Sequence, residues 1–306
     1  MDESKLHLGI TEWILLLILS VLWGGSFFLI EIAGNDYPPF TIVFGRVGIA
    51  AIVMTVWVYR NHERMPTSFR IWYKFIILGA VRSFIPFCLI VWAETQISSN
   101  LASILNATTP IFTMILAHLF TKDERITSTR AVGVLIGFGG VIIIIGPDAI
   151  QGLSLKGLGQ IAILGAAFSY GSSHVYGRRF SNMPVSVVAA GMLIGATLLS
   201  LPPALIIEKP WTLNPGFISS IAVIGLALFS TALGFLIYYR ILKVSGANNA
   251  SMVTFFIPVW AIFLGVSVLD EQIRWNSIAG LTLILLGLSI IGDRFNYFFR
   301  GNRRLK

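Results

Sequence analysis

Charge is scarce in this chain. Of its 306 residues only 12% are charged, where a soluble domain carries about a quarter. Reactive side chains are scarcer still. The single cysteine, Cys88, lies inside an apolar stretch, which excludes an intramolecular disulfide and any CxxC metal site. The four histidines (His7, His62, His118, His174) are scattered and form no HExxH or other ligand cluster, so no metal and no cofactor is expected. A membrane-embedded enzyme is the distant alternative, because it needs carboxylates, histidines or a nucleophile at useful spacing, and no such constellation is present. The first apolar run, from about Trp13 to Ala33, shows no small-residue cleavage pattern, so a removable signal peptide is not expected. What the chain does have is 56% hydrophobic residues and a mean hydropathy of +0.82, gathered in long runs. That is the composition of a membrane protein. The net charge of +8 does not point to nucleic acid, since the basic residues fill short gaps between apolar runs and form no face or stripe.

A span needs roughly 20 apolar residues, and each must be helical to satisfy its own backbone in lipid. On that criterion spans are expected near 12–33, 39–59, 71–93, 98–120, 127–146, 157–177, 184–206, 217–239, 247–268 and 275–293. The fold class is therefore all-α polytopic with ten transmembrane helices, and the gaps leave no room for a soluble domain. With the amino terminus inside, 17 of the 22 Lys and Arg fall in inner gaps and three (Lys156, Lys209, Arg274) in outer ones, while Arg46 and Arg82 lie within spans. The positive-inside rule then places both termini in the cytoplasm.

Sliding the sequence on itself by about 147 residues aligns the halves. Leu22-Trp23-Gly24-Gly25-Ser26 meets Ser169-Tyr170-Gly171-Ser172-Ser173. Asn100-Leu101-Ala102-Ser103 meets Asn248-Asn249-Ala250-Ser251, and Pro110 meets Pro258. Asp123-Glu124 meets Asp270-Glu271, and Gly133 and Gly140 meet Gly280 and Gly287. Gly79 with Gly225 and Trp92 with Tyr238 align more weakly. Two units are expected, 1–150 and 151–306, the second ending in a basic cytoplasmic tail. Five spans per unit is an odd number, so the second unit is inverted. Inverted repeats are a transporter architecture with the site near the midplane.

These residues carry a family resemblance. Trp23-Gly24-Gly25-Ser26, Pro39 followed seven residues later by Arg46, and the repeated Asn-x-Ala-Ser, Pro, acidic pair, Gly unit at 100–140 and 248–287 resemble EamA-type members of the drug/metabolite transporter superfamily. The resemblance covers about residues 12 to 293. It implies ten helices in an inverted five-plus-five arrangement, a central cavity, and transport of amino acids, drugs, vitamins or related metabolites. One departure is that Gly191, not Arg, follows Pro184 by seven residues.

Within the spans, Arg46 is read as a structural intramembrane charge. Arg82 either attracts an anionic substrate group or anchors in the interface. On the third span Arg82, Pro86, Leu89, Ala93 and Gln96 share one helical face with Trp92 beside them, either lining a pathway or simply packing around a proline kink. On the fourth, Asn100, Ser103, Ala107, Pro110 and Met114 form a stripe, with Asn106 beside it as the best polar candidate. Trp23, Ser26 and Phe27 on the first span match Tyr170, Ser173 and His174 on the sixth, and aromatics with polar tips can stack and hydrogen-bond a planar substrate. Tyr238 and Phe255 complete the substrate-binding candidates. His118 and His174 can pass protons but more often bond a neighbour. Glu31 and Glu94 are either solvated end residues, the first reading, or capture a cation, and the two acidic pairs are read as caps of the fifth and tenth helices. The expected function is secondary transport of a small metabolite, amino acids or related zwitterionic or aromatic compounds first, with export ahead of uptake of a vitamin or similar metabolite. The expected partners are that substrate, the bilayer of an inner membrane and, as an open alternative, a coupling proton, in a monomer or homodimer.

Overall fold

The computed structural model describes residues 9–121, 126–146 and 154–291. They form ten helical segments, with no strand among the described residues. These are α1 (Ile10–Gly34), α2 (Pro39–Arg60), α3 (Phe69–Glu94), α4 (Ser99–Phe120), α5 (Ser128–Ile145), α6 (Leu155–Gly177), α7 (Val185–Glu208), α8 (Phe217–Gly246), α9 (Val253–Leu269) and α10 (Trp275–Ile291). Seven of them, α1 to α5 with α7 and α8, are long and apolar enough to cross a membrane. The other three fall short of that criterion for physical reasons. α6 is diluted by glycine, serine, tyrosine and histidine, while α9 and α10 are apolar but reach only 17 residues each. Gly246, at φ 79°, turns the chain at the end of α8, helix resumes from there to Ala250, and a turn at Ser251 and Met252 precedes α9.

Three helices contain a π turn, which inserts one extra residue per turn. α3 widens over Ala80–Phe84 directly after Gly79, and α8 over Leu226–Leu233 directly after Gly225, so the two sit at repeat-related positions. The third, Ala204–Glu208, ends α7 after Pro202 and Pro203. Carbonyls in and beside these turns are taken up by side chains. The Ser169 hydroxyl donates to Val81 O at 2.8 Å, Thr231 to Leu226 O at 2.8 Å, and the Trp23 indole N–H to Ser230 O at 3.1 Å. α4 is broken at Ala107–Thr108, just before Pro110, whose ring nitrogen has no hydrogen to give the carbonyl of Asn106 four residues back.

Carboxylates from one half cap helices of the other. Glu208 accepts from the backbone N–H groups of Phe40 and Thr41 at 2.9 and 2.6 Å, at the start of α2. Glu63 accepts from the Ser186 hydroxyl at the start of α7. Glu271 accepts from Ser99 N and Asn100 N at 2.8 and 3.0 Å. This corrects the expected role of the second acidic pair. Glu271 satisfies the free donors of α4, a helix of the other half, rather than those of α10. Asp123 and Glu124 lie outside the described residues.

The packing exchanges in pairs when the halves are swapped. α2 packs on α7 and α5 on α10. α1 on α9 has its counterpart in α4 on α6, α3 on α7 in α2 on α8, and α1 on α8 in α3 on α6. The α5–α10 seam is held by glycines. A Cβ on Gly133 would lie 2.7 Å from Gly287 O, and one on Gly140 would lie 2.5 Å from Gly280 O. Rising numbers on one helix meet falling numbers on the other, so the two run antiparallel. The contacts are also reciprocal, because Gly133 and Gly140 correspond to Gly280 and Gly287.

Candidate functional site

Between the two halves lies a cavity of about 770 Å³. α1 supplies Trp23, Ser26, Phe27 and Ile30, and α2 supplies Arg46. α3 gives Arg82, Phe87 and Ile90, and α4 gives Asn106, Ala107, Pro110 and Met114. Tyr170 and His174 come from α6, Thr231, Phe235 and Tyr238 from α8, and Phe255 from α9. Arg130 at the start of α5, Arg178 just after α6 and Ile291 at the end of α10 also line it, so the cavity reaches the end of the bundle flanked by the Lys- and Arg-rich gaps. At the opposite end, where α3 finishes and α4 begins, Ala93, Glu94, Ser99 and Asn100 are buried.

Arg46 forms the back wall. It is 5% exposed, its Nε donates to Thr231 Oγ1 at 2.9 Å, and its guanidinium carbon sits 3.8 Å above the Phe87 ring centre. One side chain thus ties α2 to α3 and α8 while its head faces the cavity. At the equivalent place in the second half, the Phe75 ring lies against Gly191 and leaves no room for a side chain, which explains why the arginine is not repeated.

Arg82 NH1 donates to His174 Nε2 at 3.1 Å and reaches Ser173 Oγ at 3.5 Å. A guanidinium has no acceptor to offer, so His174 Nε2 carries no hydrogen and the ring proton lies on Nδ1. Tyr170 and Phe235 flank the same guanidinium at 5.8 and 6.0 Å. Four arginines and one histidine line the cavity, and none of the described lining residues is acidic. Trp23 and Tyr238 form an aromatic wall, their rings 5.4 Å apart and tilted by 36°. Since the Trp23 N–H is already bonded to Ser230 O, and Ser230 Oγ donates back to Leu22 O at 2.9 Å, only the face of Trp23 is available to a ligand. Asn106 brings a buried side-chain oxygen with no partner among the described residues.

Eight of the nine substrate-binding candidates line one cavity: Trp23, Ser26, Arg82, Asn106, Tyr170, His174, Tyr238 and Phe255. Trp92 does not; it is 37% exposed and points away. The π turn is the reason. One extra residue between Ala80 and Phe84 rotates the rest of α3 by about 100°, so the lining face after Arg82 reads Phe87 and Ile90 rather than Pro86 and Leu89. Ala93 packs against Gly159 of α6 instead. The same rotation turns Glu94 inward. It is 6% exposed, which overturns its reading as a solvated end residue. Ser173 and Asn100 also fall outside the lining. His118 accepts from Ile126 N at 3.2 Å and is not among the lining residues. Phe87, Thr231 and Phe235 went unnoticed in the sequence, where an isolated apolar or hydroxyl residue in an apolar run carries no signal.

The model of the EamA-like transporter family matches this chain twice, over residues 11–146 and 157–292. An uncharacterized transporter of Archaeoglobus fulgidus is 29% identical, over 92% of this chain and 98% of its own length. The uncharacterized inner membrane transporter YedA of Escherichia coli K12 is 25% identical, over 89% and 90%. A probable amino-acid metabolite efflux pump of the same organism is 23% identical, over 91% and 94%. Among solved structures, one crystal structure of a protein superposes with a TM-score of 0.67 at 17% identity, covering 92% of this chain and 97% of the other; this supports the fold.

Proposed function

The chain belongs to the EamA-like transporter family, and we propose from that premise that it exports a small carboxylate-bearing metabolite, amino acids first, across the inner membrane by alternating access. The observation that carries this reading is the cavity wall. Arg46 and Arg82 offer guanidinium groups with no acid opposite, the planar donors best suited to a carboxylate. Trp23, Tyr170, Tyr238 and Phe235 offer aromatic faces for the rest of the molecule, and the unpartnered oxygen of Asn106 can accept from an ammonium. The name of the E. coli relative, an amino-acid metabolite efflux pump, favours the same class.

Ten membrane-crossing helices in two inverted units, 1–150 and 151–306, with both termini and the basic tail cytoplasmic, make up the rest of the proposal. The antiparallel, reciprocal glycine seam of α5 and α10 supports it, because a two-fold axis in the membrane plane pairs its own related helices in that way. The family model matching each half separately supports it too. In this conformation the cavity opens toward the Lys- and Arg-rich end, the cytoplasmic side by the positive-inside rule, where an export substrate loads.

The test is thermal stabilisation of the purified protein against amino acids and their decarboxylated amines, since a ligand that binds the native state raises its apparent stability. Carboxylate-bearing compounds should raise the melting temperature and the matching amines should not. Arg82→Gln should weaken the effect by roughly ten- to a hundredfold in apparent Kd, the worth of a lost hydrogen bond between charged groups. Equal stabilisation by the amines would contradict the proposed role of the arginines.

A further inference from the structure

One helical turn behind the cavity floor, at the sealed end, lies a carboxyl group that the cavity does not reach. Phe87 and Ile90 line the cavity from α3, and Glu94 follows Ile90 by four residues on the same face. On α1, Phe27 and Ile30 line the cavity, and Glu31 follows Phe27 by four. Glu31 and Glu94 therefore each lie one turn beyond cavity-lining residues of their own helices, and Glu31 is among the charges that act on Glu94.

Glu94 is 6% exposed, and neither of its oxygens has a hydrogen-bond partner among the described residues. Asn100, at the head of α4, is 3% exposed with both amide atoms likewise unpartnered. Its oxygen and Glu271 Oε2 converge on Gly265, where an added Cβ would meet them at 2.4 and 2.8 Å. Glu271 is already committed to the Ser99 and Asn100 N–H groups. The charged groups that act on Glu94 are the half-buried Glu31 from α1, Glu271 beyond α9 and Arg46 from α2, and none is bonded to it. From α6 the nearest cation in sequence is Lys156, which is exposed, while α4 brings only the neutral Ser99 and Asn100.

A carboxylate without donors is far more disfavoured in a low-dielectric interior than the neutral acid, so a bound proton relieves most of that cost. Opening this end, as alternating access requires, would wet the group and let it ionise. We infer that Glu94 is the proton-coupling group of the transporter. It takes one proton from the outer medium, carboxylate plus proton giving carboxylic acid. It seals that end only in the acid form, and it gives the proton up to the cytoplasmic side, past the layer of Phe87 and Ile90 that separates it from the cavity, before the outer end reopens. Export is thereby tied to inward proton movement. This deepens the transport reading and rests on it.

The test has two arms, both with the full chain in liposomes. In the first, infrared spectra at neutral pH should show a carboxylic-acid C=O band in the wild type and in Glu31→Gln that is missing in Glu94→Gln. In the second, with whichever amino acid stabilises the protein, an imposed pH gradient should change net flux several-fold in the wild type and in Glu94→Asp, while Glu94→Gln responds to neither pH nor gradient. An identical acid band in wild type and Glu94→Gln overturns the proposal. So does a gradient response that survives in Glu94→Gln, or flux driven by a sodium gradient in place of the proton gradient. Absence of flux for every compound overturns the transport reading and the coupling with it, whereas flux without the band overturns the coupling alone.

Discussion

A buried arginine in an apolar chain is visible from sequence alone, since Arg46 interrupts a run that otherwise reads as lipid-compatible. Its partners are not. Thr231 lies 185 residues away, and nothing in the pattern marks it or Phe87 as the hydroxyl and ring that hold the guanidinium. Exposed residues obey simpler rules. Asp36, in the loop between α1 and α2, accepts from the Ser219 hydroxyl at 2.6 Å and from Gly216 N at 2.9 Å, at the amino end of α8, where the helix dipole also favours an anion. The Ser219 hydroxyl, then the Gly216 N–H, hold its carboxyl below the ordinary value of 3.8. A group depressed in the folded state contributes stability above its unfolded value and loses it as pH falls through the lower folded value. Melting temperature should therefore drop as pH is taken below about 3.8, and Asp36→Asn should remove that part of the drop. An identical acid profile for the two proteins would contradict this role.

At the scale of helices, the positions of the elements were legible because long apolar runs and proline or glycine punctuation are local signals. The rotation of α3 was not. Periodicity assumes 3.6 residues per turn, and a π turn after Gly79 breaks that assumption without altering composition. Trp92 left the expected site and Glu94 entered the interior for this one reason. The glycines of α5 and α10 were legible as repeat partners, but their role as a seam needed the fold. Gly140→Ala places a methyl 2.5 Å from Gly280 O, too close for any real Cβ. The helices must separate, and a loss of about 1–3 kcal/mol is expected, the usual cost of overpacking, read as a lower melting temperature in detergent. Gly139→Ala, which meets nothing within 4 Å, should be nearly neutral. Equal effects at the two sites would show that the seam is not close-packed.

At the scale of the whole molecule, the duplication was the most informative feature of the sequence, because an offset of about 147 residues recurs in contacts as well as in letters. Pairs of helices, π turns and carboxylate caps all recur between halves. Where the halves differ, at Arg46 against Gly191 and Trp23 against Tyr170, the differences fall at or near the cavity, as expected if the frame is shared and the wall is specialised. On the proposed function the passenger would be chosen by that wall, whose residues are scattered along the sequence, which is why sequence patterning reached the architecture before the chemistry of the cavity.

The most direct measurement is counterflow into proteoliposomes preloaded with an unlabelled amino acid that stabilises the protein, reading uptake of its labelled form. Saturable uptake above that of protein-free liposomes is predicted, falling by at least about tenfold, the worth of about 1.4 kcal/mol, in Trp23→Ala and in Tyr170→Ala. Uptake equal to that of protein-free liposomes would contradict transport of this class, and full uptake in both variants would contradict the cavity as its path.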